Sequence, residues 1–163
     1  MRTLLLPLNL LFLIPFIANG QKGNSFIEIH GSAETTTGFF AEGYKTGYGI
    51  YAIGYGEINK SGNISVSIGV ASWNVKNGTG SAGMILPRIG YRQFVVEGLY
   101  LLGDIGVSIG IKNFKNSTRF VIGGGLGYMF KNKSGSGFNL STRINRGFNR
   151  TWIGLGAGYQ FKL

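Results

Sequence analysis

From about Ser25 to the end of the chain, apolar and polar residues alternate with a period of two. The last segment, Thr151 to Leu163, shows it most plainly. One phase reads Ile153, Leu155, Ala157, Tyr159, Phe161 and Leu163; the other reads Trp152, Gly154, Gly156, Gly158, Gln160 and Lys162. Alternation of this kind marks a strand whose two faces meet different surroundings. Repeated along the chain, it predicts eight strands at about Ser25–Glu34, Lys45–Ile58, Asn63–Asn74, Gly83–Phe94, Gly98–Ile111, Thr118–Lys131, Gly137–Asn145 and Arg150–Leu163. Each meets the roughly 9–11 residues that a tilted membrane-crossing strand needs. No helical period is visible after Gln21.

The connections alternate too. Asn59-Lys60-Ser61-Gly62 and Asn132-Lys133-Ser134-Gly135 read as near-identical tight turns, and Val95-Val96-Glu97 as a third short link. The intervening links, Thr35–Tyr44, Val75–Ala82, Lys112–Ser117 and Arg146–Asn149, are mostly longer. Short turns at one end and longer loops at the other are the pattern of an outer-membrane barrel, and an even strand count brings both termini to the short-turn side.

The glycines choose which face points inward. Gly123, Gly125 and Gly127, and again Gly154, Gly156 and Gly158, share the non-apolar phase of their strands. A solvent-facing wall of bare glycine weakens a strand. Inside a barrel of eight strands, whose interior is only wide enough to be filled by side chains, glycine leaves room for bulk from the opposite wall. Hence Arg88 and Arg92 are expected to reach toward these glycines. The apolar phase faces lipid, including Ile68, Val107 and Leu155. The second strand has the least clear phase; Tyr51, Ile53, Tyr55 and Glu57 are placed inside, and Tyr48, Ile50, Ala52 and Ile58 outside.

Composition supports a membrane environment. Only 13% of residues are charged, about half the usual share, 13% are aromatic, and glycine is abundant at 29 residues. Tyr91, Tyr128, Phe130, Phe138, Tyr159 and Phe161 fall on the lipid phase near one end of their strands and predict an interfacial aromatic girdle. The formal charge of +10 comes from scattered Lys and Arg with no basic stripe, so nucleic acid is not an expected partner. Arg2, an apolar run from Leu4 to Ile17 and the small residues Ala18-Asn19-Gly20 read as a signal peptide over residues 1–20, leaving residues 21–163 as the barrel domain. Cysteine is absent, so no disulfide contributes to stability.

Two groups of residues carry candidate chemistry. Glu28, His30, Glu57, Arg88, Arg92, Asp104 and Arg143 all fall on the interior phase and predict a buried polar network. Buried charges must be paired, so the arginines are expected to pair with some of Glu28, Glu57 and Asp104. Asp104, Arg88 and Arg143 should lie innermost, with Glu34 wetter near a mouth. Such a network plugs a lumen or, by switching partners, gates one. His30 with Ser32 and a carboxylate on one face invites a hydrolase or acyltransferase reading, but same-face neighbours along a strand lie about 6–7 Å apart. A packed histidine in a polar network is the preferred reading, and no catalytic residue is assigned. Gly123-Gly124-Gly125-Leu126-Gly127 lacks the helix and the Gly-Lys-Ser/Thr of a phosphate loop. With no Cys, one His and isolated acids, neither a metal site nor a cofactor is expected. The second group comprises the loop cations Lys76, Lys112, Lys115, Arg146 and Arg150, for which lipopolysaccharide phosphates are the nearest anions.

Leu86-Pro87-Arg88-Ile89-Gly90-Tyr91 leading to Leu99-Tyr100-Leu101, with the C-terminal Gly158-Tyr159-Gln160-Phe161-Lys162-Leu163, resembles the small outer-membrane β-barrel proteins of the OmpX and OmpA transmembrane-domain type. The terminal Leu163 departs from the Phe or Trp usual there. The resemblance implies a monomeric, closed eight-stranded antiparallel transmembrane β-barrel with periplasmic termini. Its partners would be outer-membrane lipid, lipopolysaccharide and the outer-membrane assembly machinery. A non-enzymatic envelope or surface role is expected first. A small-solute pore, a lipid A-modifying enzyme and a secreted soluble ligand-binding barrel are the alternatives.

Overall fold

Strands in this chain form because alternating residues have two surroundings to satisfy, and they close because a spanning sheet can leave no edge unpaired in lipid. The computed structural model describes residues 23–112, 114 and 117–163; the predicted signal peptide and Lys115 lie outside them. The strands are β1 (Ser25–Thr37), β2 (Tyr44–Asn59), β3 (Gly62–Val75), β4 (Ser81–Ile85), β5 (Arg88–Phe94), β6 (Leu99–Lys112), β7 (Thr118–Lys131), β8 (Gly137–Gly147) and β9 (Arg150–Lys162). All pairings are antiparallel; β4 and β5 each pair with β3 and β6, the other strands pair with their neighbours in sequence, and β1 pairs with β9 from Phe26↔Lys162 to Thr37↔Thr151, which closes the ring.

The ring has eight staves, because β4 and β5 are two parts of one strand. The pairs Val70↔Ile85 and Ser67↔Arg88 keep the same register against β3, and Ile85↔Ile109 and Arg88↔Gly106 keep it against β6. Only Leu86-Pro87 interrupts the ladder, since proline has no N–H to donate. Around it, Leu86 N still donates to Gly69 O (2.8 Å) and Val107 N to Pro87 O (3.2 Å).

Strands β1, β6 and β8 run past their expected ends, and the fourth stave starts at Ser81 instead of Gly83. The first long loop therefore shrinks, and it holds one helical turn, α1 (Phe40–Gly43), which is too short to show a period. The two predicted twin turns are built alike: Asn59 Oδ1 accepts from Ser61 N (3.0 Å), and Asn132 Oδ1 accepts from Ser134 N (3.1 Å).

Faces follow the predicted phases. Ile29, Ile50, Val70, Ile105, Ile122, Leu140 and Leu155 are exposed on the outside, while Tyr51, Ile53 and Tyr55 of β2 are buried within. An apolar belt around every stave would be untenable in water and is what lipid requires. Among the described residues no helix is long and apolar enough to cross a membrane.

Interior glycines act only partly as expected: a Cβ on Gly123 would stand 3.1 Å from Arg88 Nη1, but the other glycines meet different side chains. The bulk they accommodate comes mainly from the neighbouring stave. Tyr51 is paired with Gly69, Tyr100 with Gly127, and His30 with Gly158. A Cβ on Gly69 would meet the Tyr51 ring, one on Gly127 the Tyr100 hydroxyl, and one on Gly156 the His30 ring. Large side chains lie over their cross-strand partners because the sheet tilts and curves tightly in so narrow a barrel.

Candidate functional site: the filled lumen and its two mouths

The interior is stacked in three levels. At the end carrying the termini and short turns, Arg92 projects inward from β5. Its guanidinium lies 3.8 Å from the centre of the Tyr55 ring and 5.2 Å from that of Tyr100. Arg92 Nη2 donates to Gln160 Oε1 (2.8 Å), and Nη1 stands 3.8 Å from Glu28 Oε2. Cation–π contact and charge pairing thus hold one guanidinium across the bore.

The middle level holds two clusters. In one, Asp104 receives Arg88 Nη1 at 3.0 Å and Arg143 Nη1 at 3.3 Å, on separate oxygens. Arg88 Nη1 also donates to Asn145 Oδ1 (2.6 Å). Asp104 faces Gly90 and Gly123 in the ladder, which leaves room for both arginines. The other cluster centres on Glu28, which is fully buried. Asn139 Nδ2 donates to Glu28 Oε1 (2.7 Å), and Tyr100 donates to Asn139 Oδ1 (2.6 Å). His30 Nδ1 lies 3.0 Å from Glu28 Oε1, and its Nε2 lies 3.4 Å from Ser141 Oγ. The Glu28 carboxylate can only accept, so Nδ1 donates to it, while the Ser141 hydroxyl can serve Nε2 in either direction.

Six of the seven predicted network residues are therefore brought together. Glu57 is the exception. It lies at the mouth, where its carboxylate accepts from Asn24 N (3.1 Å) and Asn24 Nδ2 (2.7 Å). The ladder shifts register between Glu57 and Asn59, and solvent reaches the strand end, so no arginine is needed there. Glu34 is also misplaced by the expectation: it is buried, not wet, and accepts from Tyr51 (2.5 Å) and Ser32 (3.0 Å).

Glu34 is dry because of the third level. At the loop end an aromatic plug fills the bore. Trp73 and Trp152 meet edge to face at 5.6 Å, and Phe40 of α1 packs on them at 5.5 and 6.3 Å. Phe114 backs Phe40 at 6.0 Å. Sequence reasoning missed this plug, although Trp73 and Trp152 share the inward phase of small residues, where a tryptophan can only fill the bore.

Between the levels lies a cavity with a free volume of about 20 Å³, bordered by Glu28, His30, Glu34, Ser141 and Arg143. That admits about one water molecule. Ser141, His30 and Glu28 form a hydroxyl–imidazole–carboxylate series, but no space for an acyl group adjoins the hydroxyl. No cluster of three or more metal-ligating side chains occurs among the described residues.

Outside, the six aromatic residues expected to form a girdle share one zone of the wall. Tyr91, Tyr128, Phe130, Phe138, Tyr159 and Phe161 are all exposed on the terminus-end half of the outer wall. Neighbouring rings pack against one another, Tyr128 with Phe130 at 4.7 Å and Tyr159 with Phe161 at 4.8 Å. At the loop end, Arg150 stacks over Phe114 (4.0 Å) and Arg119 faces Phe148 (5.1 Å). Lys76 Nζ donates to Ala41 O (3.4 Å), and Arg146 is exposed on the outer wall.

No family model matches the chain, and no curated protein matches it in sequence. Solved structures do match. The attachment invasion locus protein Ail of Yersinia pestis is 18% identical with a TM-score of 0.57, over 86% of this chain and 100% of that one. The N-terminal β-barrel domain of Pseudomonas aeruginosa OprF is 16% identical with a TM-score of 0.55, over 86% and 100%. Neisserial surface protein A is 11% identical with a TM-score of 0.55, over 85% and 97%. At these identities the likeness is one of fold. A closed ring of eight antiparallel staves, an apolar outer belt with an aromatic zone and a filled polar lumen give this chain the fold of the small outer-membrane β-barrels of the OmpX and OmpA type.

Proposed function

We propose that the protein is an integral outer-membrane protein that acts without catalysis, as a membrane-held rigid barrel presenting its loop end for an envelope-structural or surface-interaction role. The sealed lumen carries this reading. Arg92 with Tyr55 and Tyr100 closes one mouth, the Trp73–Trp152–Phe40 plug closes the other, and a cavity for about one water lies between. A hydrated path for solutes needs a continuous bore, and an enzyme needs room for substrate beside its nucleophile; the close packing between the two mouths favours neither. In this reading the short turns and termini face the periplasm, the longer loops face out, and lipopolysaccharide surrounds the outer rim.

Two assays test it. The purified barrel, shown to be folded by heat-modifiable gel migration, should give no steady conductance in planar bilayers; steady unit conductance would establish the pore instead. Cells expressing the protein should show no lipid A mass change. A change abolished by His30→Gln would establish the enzyme.

A further inference from the structure

The loop end holds two positive charges that converge with no negative charge between them. Arg119 is the second residue of β7 and Arg150 the first of β9, and both border the hollow at the mouth. Arg119 Nε donates to Ser117 Oγ at 3.2 Å, and Arg150 Nη2 donates to the same oxygen at 3.4 Å. A hydroxyl is a weak acceptor for two guanidiniums, and like charges held this close repel. Elsewhere in the barrel Arg88, Arg92 and Arg143 each have a carboxylate within 4.0 Å; among the described residues Arg119 and Arg150 have none. Glu42 borders the same hollow but does not come within ion-pairing distance of either. Arg150 Nη1 is enclosed and has no hydrogen-bond partner.

The surroundings are equally particular. Phe39 and Phe148 flank the hollow and are 70% and 73% exposed, although each carries a large apolar ring. Phe148 holds φ = 45°, a backbone region that favours glycine, in the two-residue link between Gly147 and Arg150. The two-residue hairpin link calls for a positive φ at its first central residue, and it holds the Phe148 ring out at the rim of the hollow. The hollow has a free volume of about 620 Å³, within the range of small-molecule sites.

We propose that this hollow is a binding site for the phosphate or sulfate ester of a saccharide. The two guanidinium forks receive the anion on the Ser117 side, and the exposed rings of Phe39 and Phe148 receive the apolar face of the sugar. Arginine suits this task because its planar donors match the oxygens of a tetrahedral anion. An anion bridging both groups replaces their mutual repulsion with two attractions. The proposal rests on the reading that the loop end faces outward. Its ligand chemistry has two sources, the phosphorylated sugars of lipopolysaccharide and soluble sulfated polysaccharide.

The test uses the whole barrel in phospholipid nanodiscs free of lipopolysaccharide, titrated calorimetrically with a sulfated maltooligosaccharide and with its unsulfated parent. The sulfated probe should bind and the parent should not. Arg119→Gln and Arg150→Gln should each weaken binding about tenfold or more, the scale of a lost charge-assisted hydrogen bond. Lys45→Gln removes the same charge from the loop end and should change affinity less than about twofold, as expected for a screened surface charge. An equal loss in Lys45→Gln would show a diffuse field with no site, and absence of binding by the wild type would overturn the proposal. Discs containing short-chain lipopolysaccharide identify the source. Competition by the phosphorylated form and not by the dephosphorylated form assigns the site to the membrane's own sugars; no competition assigns it to soluble saccharide. Heat-modifiable migration shows that each variant is folded. A silent, inserted barrel that binds nothing defeats this proposal alone, whereas a conducting barrel defeats the functional reading.

Discussion

Asp104 is the residue on which the middle of the barrel turns. It balances Arg88 and Arg143 on separate oxygens, and its two ladder partners are glycines. Removing its charge strands two guanidiniums in a lumen with almost no water. Asp104→Asn should therefore lower unfolding free energy by about 3–5 kcal/mol, as breaking a buried pair does. Double-mutant cycles with Arg88 and Arg143 should each show coupling well above zero; no coupling to either would contradict the network. Pairing of these residues was legible in the sequence, because all three share the inward phase and isolated buried charge is costly. The exclusion of Glu57 was not, since it depends on Asn24 reaching the same strand end. Nor was the dryness of Glu34, which depends on three aromatic residues distant in sequence.

Among the strands, period two and turn chemistry carry nearly all the information. A stave's outer phase sits in lipid, so Leu155→Arg should cost about 2–4 kcal/mol near the bilayer midplane. Gly69→Val, on the inner phase, should also destabilise the barrel, through collision with the Tyr51 ring and not through lipid. Pairing it with Tyr51→Ala should recover part of that loss in urea unfolding from liposomes, and failure to recover any would refute the glycine–tyrosine fit. Both faces could be read from parity alone. What could not be read is which glycine serves which side chain, because stagger between staves sets that. The break at Leu86-Pro87 shows the same limit: proline announces a lost hydrogen bond, but not that register persists on both sides of it. Helix α1 spans one turn, and its role comes from placing Phe40 over the tryptophans.

At the scale of the whole molecule, one statement joins these parts: the apolar belt faces lipid, and the lumen is closed at both mouths. The chain contains no cysteine, so single-cysteine variants report one site each. Thiol labelling of the barrel in proteoliposomes is the most direct test. Cysteines at Leu155 and Ile105 should react with membrane-soluble reagents and not with charged aqueous ones. A cysteine at Ser141, beside the single-water space, should react with an aqueous maleimide only after unfolding, while one at Phe148 on the exposed loop rim reacts at once. Labelling of the Ser141 position in the folded barrel as fast as the Phe148 position would show an open lumen and contradict the account.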